Sequence, residues 1–153
     1  MILEINIKLT TNFLGSGPRV NGVRKLKKTP DNRITINEKE WKEDLSSSAK
    51  SLEIDFCTEN INFEPGFEFP EVNVLRRIYN KTNVDLFEGI TAGNHLSIFC
   101  MVENYTEDKL EDIKKVFEIF GKFYGISQFG KKFHCGRFKL ISINRLTKSD
   151  YKI

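Results

Sequence analysis

Hydrophobic and polar residues alternate at the start of the chain: Leu3, Ile5, Ile7 and Leu9 are interleaved with Glu4, Asn6, Lys8 and Thr10. Period two is the mark of a strand buried on one face, so a strand is expected over Leu3–Leu9. The pattern then stops. Residues 10–33, TTNFLGSGPRVNGVRKLKKTPDNR, hold three glycines, two prolines and no helical period, which reads as a long first loop.

A helical period follows. Thr35 and Glu38 fit an S/T-x-x-E capping box, and Trp41, Leu45, Ala49 and Leu52 recur at near-fourfold spacing. Residues 54–82 alternate only in places and are cut by Pro65-Gly66 and Pro70. They read as a short strand, a loop and a second strand near Asn73–Tyr79, with the phenylalanines as core or loop anchors. LSIFCMVE, Leu96 to Glu103, is apolar on both faces, as a central strand would be. Thr106 is placed to cap a second helix, with Glu107 and Asp108 in its first turn, where the helix dipole favours acids. Leu110, Ile113, Phe117, Phe120 and Tyr124 mark one face of that helix, Gly125 is its natural stop, and RFKLISINRL closes the chain as a last strand.

The order is strand, long loop, helix, strands, central strand, helix, glycine-rich loop, strand. That is a βαββαβ arrangement, and the expected fold is α+β: a single ferredoxin-like domain over 1–153 with a long first loop and a middle insertion. In that topology the first and last strands lie close together in the sheet.

Charge makes this proximity matter. Residues 5–30 contain Lys8, Arg19, Arg24, Lys25, Lys27 and Lys28 and no acid. Residues 119–149 contain Lys122, Lys131, Lys132, Arg137, Lys139, Arg145 and Lys148 and no acid. Between them, residues 34–118 hold 18 acids against 9 bases, so a net charge of only +3 hides a strong segregation. If the fold joins the ends, they make one cationic surface suited to a polyanion. A solvated, uneven surface is the plain alternative.

The remaining composition narrows the class. Charged residues make up 29% and hydrophobic ones 39%, as in an ordinary globular chain. The longest apolar run, Ile98 to Val102, falls far short of a membrane span, and Glu4 and Lys8 interrupt the amino-terminal pattern as no signal peptide would. Cys57, Cys100 and Cys135 are odd in number and widely spaced, which fits neither a disulfide framework nor a zinc site and suits reduced thiols in a cytoplasm. No cofactor or metal motif is present.

The segment Tyr124 to Leu140, YGISQFGKKFHCGRFKL, concentrates the remaining chemistry. Gly125, Gly130 and Gly136 would let main-chain N–H groups approach a phosphate. Lys131, Lys132 and Arg137 supply charge, Arg137 in bidentate form. Tyr124, Phe129 and Phe133 could stack on bases. Arg19, Arg24, Lys25, Lys27 and Lys28 would then act as a clamp from the first loop. The bland reading gives the same residues to a helix-to-strand turn, a core and solubility.

GISQFGKKFHCGRF between a helix and a final strand resembles the glycine-rich loop of RAMP-type proteins, the ferredoxin-like RNA-binding modules of CRISPR effector complexes. The chain is also similar to short phage-encoded RAMP-like proteins in its Gly136-Arg137-Phe138 and in the turn Thr11-Asn12-Phe13-Leu14-Gly15. His134 and Cys135 depart from the small residues usual there, and the RRM fingerprint is absent. The resemblance implies non-catalytic binding of single-stranded RNA or DNA in a bacterial cytoplasm, by a phage or mobile-element protein. It leaves two alternatives: an anti-CRISPR-like protein bound to a host effector complex, or a metal-independent endoribonuclease using His134 as general acid or base.

Overall fold

In the computed structural model, which describes residues 1–78, 84–128 and 133–147, the alternating segment forms β1 (Ile2–Leu9). Leu3, Ile5, Ile7 and Leu9 are at most 1% exposed. β1 pairs antiparallel with β10 (His95–Val102) on one side and with β11 (Phe138–Leu146) on the other. β10 in turn pairs with β6 (Ile61–Phe63), giving a four-stranded antiparallel sheet of order β11-β1-β10-β6. The two basic ends of the chain are therefore neighbours in one sheet.

Helices α1 (Glu38–Ser51) and α2 (Leu110–Phe123) cover the face formed by the buried β1 residues. From α1 come Trp41, Leu45 and Ala49; from α2 come Ile113, Val116, Phe117 and Phe120, with Leu110 only partly buried. Edge-to-face rings knit this layer, with Trp41 5.3 Å from Phe63 and 5.9 Å from Phe120, and Phe120 5.7 Å from Phe138. Both helix starts differ from the sequence expectation. Asn37, not Thr35, caps α1: its side chain accepts from the Glu40 amide at 3.3 Å and donates back to the Glu40 carboxylate at 3.1 Å. Thr35 is already in a strand, because its backbone is needed by a partner far along the chain. Thr106 precedes a 3-10 turn, Glu107–Lys109, before α2 proper begins.

The long first loop is the main correction. It contains β2 (Phe13–Leu14), β3 (Arg19–Val20) and β4 (Val23–Arg24), followed by β5 (Ile34–Thr35). These short strands are held by the middle insertion, where β7 (Gly66–Phe67), β8 (Asn73–Ile78) and β9 (Val84–Ile90) lie. β9 pairs with β8 on one edge and with β2 and β4 on the other, and β5 pairs with β7. Two segments read as accessory build a second sheet against each other, seated on a small cluster of Leu14, Phe87 and Cys135 with Leu75 and Phe133 beside it. The protein is thus a mixed α/β fold, mostly sheet, with α1 and α2 packed on one face of the main sheet. No described helix is long and apolar enough to cross a membrane.

Candidate nucleic-acid interface

Three stretches of chain meet at one end of the main sheet: Thr10–Asn12 leaving β1, Gly125–Ser127 leaving α2, and Gly136–Arg137 entering β11. The Thr10 amide donates to the Arg137 carbonyl at 2.9 Å, and the Arg137 amide donates to Thr11 Oγ1 at 2.9 Å. Gly136 donates to the Asn12 carbonyl at 2.7 Å, and Ile126 donates to the Gly136 carbonyl at 2.9 Å. Asn12 Oδ1 also accepts from the Ala92 amide at 2.9 Å, which ties in the turn before β10. Such a crossing leaves no room for side chains. Gly125 and Gly136 adopt φ +82° and +68°, and a Cβ on Gly136 would lie 2.6 Å from the Ser127 nitrogen.

This geometry revises the role given to the two glycines. Their amides are already used, Gly125 by the Phe120 carbonyl at 2.8 Å and Gly136 by Asn12. They make the crossing possible and offer no N–H to a phosphate. Phe129, Gly130, Lys131 and Lys132 lie outside the described residues, between flanks at Gln128 and Phe133 that emerge from this crossing. Tyr124 and Phe133 are half-buried, the first against the main core and the second in the small cluster. His134 is exposed, in the left-handed region at φ +57°. Arg137 donates through Nη2 to the Phe123 carbonyl at 3.2 Å, and its buried Nε has no partner among the described residues.

The first-loop cations divide into two groups. Arg19 pairs with Asp85 at 3.0 Å and Lys25 with Glu88 at 3.4 Å, both acids of β9. Arg24 donates to the Gly17 carbonyl at 3.2 Å. Arg19 and Lys25 thus tie the first loop to β9, and Arg24 ties the loop to itself. Lys27 and Lys28 are exposed. Lys28 lies 5.1 Å over the Phe69 ring. Lys27 shares a cleft of about 290 Å³ with Ser16, Asn37, Glu40 and Gln128, which brings the first loop beside the glycine-rich one. The acid of the first loop, Asp31, is taken up by Thr29 and Arg33, contacts that hold its carboxyl below the usual range; Glu38 and Glu40 line the Lys27 cleft.

Sequence reading left Lys122 and Lys139 out of the site. They line one groove of about 480 Å³ between α2 and β11, with Thr10 at its end and Glu118 on its wall. Their membership in an acid-free segment was visible; their convergence depends on how α2 packs across the first residues of β11. Among the described residues no three His, Cys, Asp or Glu side chains are grouped to hold a metal ion.

No family model matches the chain, and no curated protein matches it. Among solved structures it is similar to a chain of a Type IV-B CRISPR Complex, with a TM-score of 0.56 and 10% identity over 94% of this chain and 90% of that one. At that identity the likeness is one of fold.

Proposed function

We propose that the protein is a non-catalytic binder of single-stranded nucleic acid, built on a ferredoxin-like, RAMP-like frame that works with a CRISPR-type effector complex. The strand order β11-β1-β10-β6, with one helix before β6 and one before β11, supports the frame. One observation carries the function. The two acid-free basic segments of the sequence adjoin through β1 and β11, and their loops cross at the Asn12–Gly136 contact. A polyanion held there would meet cations from both ends of the chain, Lys27 and Lys28 from one, Lys122, Lys131 and Lys132 from the other. Because the Gly125 and Gly136 amides are spent internally, affinity rests on side chains and is insensitive to base sequence.

The reading is tested by competing single-stranded and duplex 20-mers (a length of convenience, roughly one or two single-strand sites) for the purified protein. Preference for the single strand supports it; equal binding, or a preference for duplex, contradicts it. The likeness to a chain of a CRISPR complex also favours a second reading, in which the protein occupies a subunit position in a host effector complex as an anti-defence protein. Co-purification with such a complex that survives nuclease treatment would support that role over direct strand binding.

A further inference from the structure

We propose that the open face of the main sheet carries a second backbone contact for the same single strand, formed by Lys139, Lys8 and His95; this rests on the nucleic-acid reading above. α1 and α2 cover the opposite face of the sheet, and Lys139, on the edge strand β11, also borders the groove beside α2. In register, Lys8 of β1 stands directly across from Lys139 of β11 on one side and from His95 of β10 on the other. All three are exposed. They form a row across three adjacent strands.

Directly opposed residues in an antiparallel pair have Cβ atoms about 5 Å apart, and like charges so placed destabilise the sheet. A purely structural solution would put an acid within reach, and one is present on the same face. Glu4 lies on β1 two side-chain positions from Lys8, but its carboxylate accepts from Asn6 Nδ2 at 3.0 Å and Asn144 Nδ2 at 3.1 Å. Asn6 is fixed in turn by Ser142 at 3.1 Å and Ser97 at 2.7 Å. A neutral, hydrogen-bonded row therefore separates Glu4 from the lysines. Glu118 shares the groove of Lys139 and makes no ion pair with it. Among the described residues neither Lys8 nor Lys139 has an acidic partner within ion-pair distance.

The row sits at the end of the sheet where β1 runs into Thr10–Asn12 and Arg137 leads into β11. A strand leaving the crossing would reach it without a gap. Two ammonium groups beside an imidazole contact phosphates without reading bases, so the occupant that fits the charge is the sugar–phosphate backbone of the strand already proposed. A bound phosphate backbone would neutralise the opposed lysines.

The test is the double variant K8Q/K139Q. Its thermal midpoint should equal or exceed that of wild type, since a repulsion is removed. Its affinity for a labelled oligo-dT 20-mer should fall at low salt, and its log–log salt slope should become shallower by about 1.4, at roughly 0.7 counterion per phosphate contact. K8R/K139R should restore the slope, and Lys115→Gln, a control on exposed α2 surface, should leave it unchanged. In wild type, backbone amide shifts of Lys8, His95 and Lys139 should move as the 20-mer is added. An unchanged slope in K8Q/K139Q, with those amides unmoved, overturns the row while leaving strand binding intact. A wild-type protein that binds no oligonucleotide overturns both.

Discussion

Gly125 and Gly136 touch backbone to backbone: a Cβ on Gly125 would come within 2.7 Å of the Gly136 carbonyl oxygen. The turn that ends α2 is thereby pressed onto the turn that starts β11.

Gly136→Ala and Gly22→Ala separate this crowding from simple backbone strain. Both glycines have positive φ, +68° and +79°, but nothing lies within 4 Å of a Cβ on Gly22. Gly22→Ala should cost about 1–2 kcal/mol, the left-handed penalty alone. Gly136→Ala should cost clearly more, because Ser127 must also move. Urea unfolding of the two variants makes the comparison; equal losses would mean that the crossing is not tight.

Phe117→Ala should cost about 3–5 kcal/mol, as expected for a phenylalanine 1% exposed in the main core. Phe123, six residues on and 52% exposed, should tolerate the same change within about 0.5 kcal/mol. The pair reports which face of α2 meets the sheet.

The cysteines should differ in reactivity. Burial pushes the Cys100 thiol up to about 12, so almost no thiolate forms at pH 8, and Cys135 is buried as well. Cys57 is exposed. Iodoacetamide at pH 8 should label Cys57 alone in the native protein, with Cys100 and Cys135 following only in denaturant. The same shift has a stability sign. The folded thiol keeps its proton where the unfolded one, near 9.0, has lost it, so this group favours folding less as pH rises through 9. Rapid native labelling of Cys100 would contradict its place in the core.

Arg19→Gln with Lys25→Gln should leave the salt dependence of strand binding unchanged and lower stability modestly, by up to about 1 kcal/mol for each exposed pair. Lys27→Gln should do the reverse. The two effects distinguish cations that hold β9 from cations turned to the ligand, and an anisotropy titration beside a thermal melt reads both.

Some of this was legible in the chain. The alternation of Leu3, Ile5, Ile7 and Leu9 fixes β1 because one face is buried and the other is not, and the spacing of Ile113, Phe117 and Phe120 fixes α2 for the same reason. The strands β2 to β5 were not legible, since two residues carry no period and exist only through a distant partner. β9 was missed because VDLFEGI does not alternate: Gly89 replaces a side chain where Phe13 and Leu75 crowd in. The acid-free ends could be read directly. That Arg19 and Lys25 would be claimed by Asp85 and Glu88, while Lys8 would face Lys139, is a matter of register between residues 60 to 130 positions apart, and no local pattern records it.

The most direct measurement is a fluorescence-anisotropy titration of wild type with a labelled single-stranded oligomer at several salt concentrations. Five or six phosphate contacts from Lys27, Lys28, Lys131, Lys132 and their neighbours give a log–log slope near −4, at roughly 0.7 per contact. Micromolar or tighter binding at low salt, falling away with that slope, is the expected result. A protein that binds no single strand at low salt, or binds one with an affinity indifferent to salt, would contradict the claim that the joined basic ends exist to hold a nucleic-acid backbone.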